Sequence, residues 1–236
     1  MGINHRLIMK PMVKKDLFAR ESAFYKQTQE NKHDTNSPIR FVPKFLGLLY
    51  CGTCNVENAK ALEISESAKP VPLPHIVLED LTHGYDDPNV IDIKMGTCTF
   101  EPTATQQKKD SEVRKYPYQA ELGFRITGFK LLDQSSGSYL KAGKPFGRSV
   151  QPQEVTAALA MLFRAGNGYR CDVIRAFIVH LENILLWMRS QTSYKFFCSS
   201  ILLVYDAHTE SFDGVVTPMA ECSTPKVPTG NKADYS

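Results

Sequence analysis

The sequence predicts an α+β fold in two lobes, a small antiparallel N-terminal lobe and a larger mixed C-terminal one. Its 236 residues suffice to bury a substantial core in one domain or two closely packed lobes. In the first part, short apolar β-rich segments surround a single helical pattern. From Thr82 onward, alternating strand patterns are interleaved with longer helical ones. The lobes are expected at 1–81 and 82–208, with the Pro-, Thr-, Ser- and Gly-rich stretch 209–236 as a disordered tail.

Taken in order, "RLIMKPMV" reads as a short strand interrupted by Lys10 and ended by Pro11. "LFARESAFYKQTQ" spaces Leu17, Glu21, Phe24 and Tyr25 for a helix near 16–29. A turn-rich connection, "NKHDTNSP", leads into the β-rich "IRFVPKFLGLLY" and, after a polar loop at 53–70, "PHIVLEDL". "VIDIKMGTCTF" alternates as a strand or hairpin, and the polar residues 104–116 predict a short exposed helix. "GFRITGFKLL" and "GSYLKA" read as hairpin partners. "QPQEVTAALAMLFRAG" starts near Pro152, sets Val155, Leu159 and Leu162 on one face and ends by Gly166. The longest helix is "CDVIRAFIVHLENILLWMRSQ", capped by Asp172, with Val173, Phe177, Leu181, Ile184 and Met188 inward and His180 as a packed or surface residue. "YKFFCSSILLVYDA" is a strongly apolar strand.

A formal charge of only +3 leaves no global field of the kind that marks a nucleic-acid binder. The basic residues are unevenly placed, however. Arg6, Lys10, Lys14, Lys15 and Arg20 face one acid, Asp16, in the first twenty residues, and Lys108, Lys109, Arg114 and Lys115 form a second group. Both groups suit solvated faces or an anionic small molecule. Six scattered cysteines and no secretory signal suggest reduced thiols, and the Cys51–Cys54 pair lacks a second pair at zinc-ribbon spacing. Arg6 stands where myristoylation wants Ser or Thr, and no apolar run approaches the roughly twenty residues that span a bilayer.

The stretch "DPNVIDIKMGTCTF" carries the chemistry. Asp92 and Lys94 lie two residues apart, so in a strand both side chains address one face. Gly96 allows the following turn, and Pro88 stiffens the entry. Taken alone, however, such an alternation of acid and base suits any solvated strand.

Pro88-x-x-x-Asp92-x-Lys94-x-Gly96 is similar to the P-x-x-x-D-x-K-x-G signature of the inositol polyphosphate kinases, and other blocks accompany it. Lys10, eleven residues before Glu21 in "RESAFY", resembles the family's lysine strand and R-E-x-x-F-Y helix. "LEDLTH", "RKYP", "LGFRITGFKLLD" and "CSSILLVYD" follow in the family's order over most of residues 6–206. The resemblance implies a two-lobed fold like that of protein kinases and ATP-grasp enzymes, with ATP and Mg2+ as cofactors and inositol polyphosphates as substrates. Lys94 would contact the γ-phosphate and the accepting hydroxyl, and Asp92 would hold the nucleotide. Lys10 would touch ATP phosphates with Glu21 orienting it, and the backbone of Glu79, Asp80 and Leu81 would receive adenine. Lys108 and Lys115, seven residues apart on one helix face, would bind inositol phosphates. Ser199 and Ser200 would belong to the strand beneath the nucleotide.

"LEDLTH" and "RKYP" resemble the multikinase branch, and the short segment from Gly96 to Gly123 leaves no room for the large lid of the trisphosphate 3-kinases. Several inositol phosphates, or phosphoinositide head groups, are then expected as ligands of a monomer in the nucleus or cytoplasm. Two family features have no counterpart. Only five residues precede Arg6, where a β-hairpin is expected, and no I-D-F-x-H motif follows Asp206. "SFDGVV" does not replace that motif, so no residue is assigned to a metal. An incomplete gene product is expected, with apolar surface of the 171–189 helix uncovered. Three functions stay open: a kinase for soluble inositol tris- and tetrakisphosphates, a catalytically impaired module that binds inositol phosphates and nucleotide, and a hexakisphosphate kinase.

Overall fold

The computed structural model describes residues 7–34, 37–51 and 73–208; the expected loop at 53–70 and the tail at 209–236 lie outside the described residues. Two compact units emerge. One comprises the chain up to Gly84 together with Glu182–Tyr194, and the other comprises Tyr85–Leu181 and the chain from Lys195 onward.

The first unit contains β1 (Leu7–Pro11), α1 (Lys15–Glu30), a 3-10 turn (Pro38–Phe41), β2 (Phe45–Cys51) and β3 (Leu73–Glu79). The strands form an antiparallel sheet in the order β1-β3-β2. Phe18 and Tyr25 of α1 pack on Met12, Phe45, Ile76 and Leu78. The inward stripe of α1 therefore runs through Phe18, Ser22, Tyr25 and Thr28, and Leu17, one of the residues whose spacing predicts the helix, is exposed. One residue of offset turns a helical side chain by about 100°, and the small Ser22 and Thr28 leave room for the sheet. Residues 39–41, expected as strand, are helical because Pro38 presets the first turn and lacks the N–H a ladder needs.

The second unit contains β4 (Pro88–Met95), α2 (Gln106–Lys115), α3 (Gln119–Leu122), β5 (Phe124–Asp133), β6 (Ser138–Ala142) and α4 (Lys144–Ser149). Then come α5 (Val155–Met161), the two-residue strands β7 (Arg164–Ala165) and β8 (Gly168–Tyr169), α6 (Cys171–Ser190) and β9 (Ser200–Asp206). An antiparallel sheet in the order β6-β5-β4-β9 supplies Ile91, Ile126, Phe129, Leu131, Leu203 and Tyr205 to the core, against Leu162 and Val173 from the helical side. Arg170 secures the end of β9: it forms a forked ion pair with Asp172 and donates to the carbonyls of Asp206 and Ala207. The Arg170 hydrogen bonds hold the Asp172 carboxyl below its ordinary value.

Helix α6 contributes to both units. Val173 and Phe177 pack in the second core, while Trp187 is buried in the first unit against Phe41 and Tyr194. Leu181 and Met188, expected to face in, are exposed, because Trp187 rather than Met188 takes the inward place on the last turns. Val179, Leu185 and Leu186 are exposed too. No described helix is long and apolar enough to cross a membrane. Cys98 and Cys198 carry free thiols.

Candidate functional site

Strand β4 places the first functional side chains. Its neighbours β5 and β9 pair with it on both sides, and Ile91 and Ile93 point into the core. Period-two alternation then turns Asp92 and Lys94 to the opposite face together. Lys94 donates its ammonium to the Cys198 carbonyl at 3.2 Å. Asp92 Oδ1 is buried without a hydrogen-bond partner. After Met95 the chain turns at Gly96, whose φ of 100° is the left-handed backbone that glycine tolerates. Gly96 N–H donates to Gly123 at 2.7 Å, and Gln119 donates to the Gly96 carbonyl at 2.6 Å. These bonds tie the end of β4 to the start of β5.

The β5 strand carries a bulge. Asp92 pairs with Gly128 and Ile93 with Ile126, so Thr127 is the extra residue. Ile126 and Phe129 can therefore both face the core, while Arg125 stands directly opposite Lys94. Two cations across a ladder repel each other. Arg125 is only 9% exposed, and its Nη1 is buried without a partner. Burial foremost, then the Arg148 charge, pushes its guanidinium below the ordinary value. The nearby Glu112 carboxylate opposes this shift, but a buried guanidinium nitrogen without a partner is costly, and an anion in the adjoining space would satisfy it.

A cavity of about 190 Å³ opens beside these residues, lined by Lys94, Lys115, Arg125, Lys144, Arg148, Glu112, Ile126, Thr127 and Cys198. Its five basic side chains face a single acid. Glu112, buried on α2, accepts from Lys108 at 2.5 Å and from Lys115 at 2.6 Å, so the helix holds the two lysines through one carboxylate. Burial opposes ionisation of Glu112, yet the hydrogen bonds and charges of both lysines outweigh it and draw its pKa from 4.5 down to about 2. Since the folded value lies below the unfolded one, this stabilisation is complete above about pH 5 and is lost as pH falls toward about pH 2. Denaturant unfolding across that window should show the native chain losing about 2 kcal/mol more than Glu112→Gln, allowing for screening at the cavity mouth. Parallel acid limbs in the two proteins would refute the assignment.

Lys144 and Arg148 reach the cavity on α4. This six-residue helix lies so close to β5 that a Cβ on Gly147 would stand 1.6 Å from the Ile126 carbonyl oxygen. Sequence reasoning missed Glu112, Arg125, Lys144, Arg148 and Cys198. The alternation of "GFRITGF" held a signal for Arg125, since a lone arginine inside an apolar strand must find an anion or open water. Nothing local in "KPFGRS" announces a helix, because the glycine that permits the close approach also reads as loop.

The predicted site residues fall into separate places. Lys94 and Lys115 share the cavity; Lys108 joins them only through Glu112, and Asp92 is not among the cavity's lining residues. In the first unit, Lys10 pairs with Glu21 at 2.6 Å. The Glu79 carboxylate accepts from the Lys44 N–H at 2.7 Å and borders a second cavity, of about 570 Å³, with Tyr25, Ile39, Val42 and Phe45. Asp80 accepts from the Thr82 N–H and hydroxyl in a tight turn, and Leu81 is exposed. Ser199 accepts from the Met95 N–H, and His180 is exposed. Among the described residues no cluster of three or more His, Cys, Asp or Glu could hold a metal ion, and "SFDGVV" lies outside them.

The family model for inositol polyphosphate kinases matches residues 75–228, which contain β4, the cavity and α6. The chain belongs to the inositol polyphosphate kinase family. Human inositol polyphosphate multikinase is 32% identical over 136 residues, covering 58% of this chain and 33% of the human protein. Inositol polyphosphate multikinase IPK2 of Oryza sativa subsp. japonica is 29% identical over 220 residues, covering 86% of this chain and 69% of its own. The chain thus spans about a third of the length of its mammalian multikinase relatives. Among solved structures, the multikinase Ipk2 of S. cerevisiae in complex with ADP and Mn2+ aligns with a TM-score of 0.64 at 24% identity, over 86% of this chain and 75% of that one. That likeness establishes the α+β fold of this kinase family.

Proposed function

We propose that this member of the family transfers the γ-phosphoryl group of ATP to hydroxyls of soluble inositol tris- and tetrakisphosphates, in the manner of a multikinase. The observation that carries the reading is the convergence of Lys94, from the P-x-x-x-D-x-K-x-G block, with four further cations in one cavity. Phosphates of the acceptor would neutralise the buried Arg125 and its neighbours, leaving Lys94 to steady a hydroxyl and the incoming phosphoryl oxygens. The nucleotide roles of Lys10, Glu21, Glu79, Asp80, Leu81 and Asp92 are part of the same proposal. The unpartnered Asp92 Oδ1 fits a cation, and magnesium needs few protein carboxylates when phosphates supply its other ligands. Bound ATP and Mg2+ would supply the transferable group and neutralise its oxygens.

Five basic side chains against one acid also favour a second reading, a kinase acting on hexakisphosphate, and human inositol hexakisphosphate kinase 2 is 32% identical over 133 residues. Incubation with labelled ATP, Mg2+ and either the trisphosphate or the hexakisphosphate tests both. Label moving to the trisphosphate supports the first reading, and label moving to the hexakisphosphate alone supports the second. Saturable binding of either ligand without any transfer would overturn both.

A further inference from the structure

Cys198 lies in the wall of the cationic cavity, next to β9, in a conformation that few residues adopt. Its φ of 58° makes it the one non-glycine residue with positive φ among those described. That backbone aims its carbonyl at the Lys94 ammonium, while its thiol donates to the Thr99 carbonyl. The residue is exposed and its thiol is free. Independently, the nine-tenths-buried Arg125 lines the same cavity with its Nη1 unpartnered, a donor suited to an anion. A concave surface of one charge raises the local concentration of oppositely charged molecules, and association with it accelerates by about 10- to 1000-fold at low salt.

We infer that Cys198 is a modification site, at which the cavity draws small anionic disulfides and electrophiles onto the thiol and the adduct closes the cavity to phosphorylated ligands. In the exchange, the Cys198 sulfur attacks one sulfur of a carboxylate-bearing disulfide such as oxidised glutathione. A new S–S bond forms, the old one breaks, and the departing sulfur takes the electron pair and the proton that Cys198 gives up. A second thiol reverses the reaction by the same exchange. The attached carboxylates then occupy the cations that an inositol phosphate needs. This regulation rests on the anion affinity of the proposed kinase cavity.

Cys98 provides an internal comparison, because it is also an exposed free thiol and does not line the cavity. The full chain is treated with iodoacetate or with neutral iodoacetamide, and alkylation of each cysteine is followed by peptide mass spectrometry. The iodoacetate-to-iodoacetamide rate ratio at Cys198 should exceed that at Cys98 by about tenfold, falling toward equality as salt shortens the reach of the charges. Inositol hexakisphosphate should protect Cys198 and leave Cys98 unaffected, and oxidised glutathione should form its mixed disulfide at Cys198 first. Equal ratios at the two thiols, or hexakisphosphate protection of neither, would overturn the inference. Steered, protectable labelling in a chain that transfers no phosphoryl group would leave the thiol site standing and remove the kinase reading. Transfer without steering would do the opposite.

Discussion

Replacing Lys94 by alanine should lower kcat for phosphoryl transfer about 100- to 1000-fold, while weakening inositol phosphate binding only about tenfold. The two effects separate because they count different contacts. For binding, Lys94 is one of five cations in the cavity, and Lys115, Arg125, Lys144 and Arg148 remain. One charge-assisted contact in a water-open cavity contributes about 1.5 kcal/mol, roughly tenfold in Kd. For transfer, Lys94 alone among the five extends from the strand that also presents Asp92, with its unpartnered oxygen. Losing a fixed donor at the reacting oxygens costs about 3–4 kcal/mol of barrier. Lys94→Arg should keep most of the binding and recover little turnover, since a planar fork cannot replace a point charge at that distance. The native ammonium also ties the sheet to the Cys198 carbonyl, so circular dichroism and unfolding midpoints must accompany the kinetics. A variant with weaker binding and unchanged kcat would reduce Lys94 to a ligand contact and remove it from the chemistry.

The face shared by Asp92 and Lys94 was legible because strand alternation is a local rule, and β4 obeys it under pairing from both neighbours. The hairpin of β5 and β6 was legible for the same reason. What stayed hidden depends on long-range contacts. The Thr127 bulge changes which residues of β5 face the core, and it is specified by packing against β4 rather than by any turn residue. Glu112 looked like one more charge on a polar helix, and only the folded chain shows it buried with a lysine on either side. On α6, periodicity alone named Leu181 and Met188 as inward, but the helix meets different partners along its length and Trp187 outweighs Met188 in the area it buries. Anion sites built from several elements are hard to read this way, because each cation has an ordinary solvated explanation taken singly.

Gly147→Ala should destabilise the chain by about 3 kcal/mol and cut inositol phosphate affinity more than tenfold, although Gly147 carries no side chain to touch a ligand. Its Cβ would sit 1.6 Å from the Ile126 oxygen and 2.7 Å from the Ile126 carbonyl carbon. No rotamer change relieves a clash with backbone, so either β5 shifts or α4 lifts. Ile126 belongs to the main core and is paired to β4, whereas α4 is a single short helix. The helix gives way. Lifting it undoes the edge-to-face contact of Phe146 with Phe129, at 5.3 Å, and carries Lys144 and Arg148 out of the cavity wall. Two neighbouring glycines calibrate the result. A Cβ at Gly128 would approach the Ala142 oxygen at 2.9 Å, a contact that a small shift of β6 relieves, so that alanine should cost about 1–2 kcal/mol. At Gly137 nothing lies within 4 Å and only its left-handed φ of 67° is penalised, at about 1 kcal/mol, with affinity untouched. Urea midpoints with inositol hexakisphosphate titrations rank the three. If the Gly147 variant is no less stable than the Gly137 one, or keeps native affinity, then α4 does not form the cavity wall.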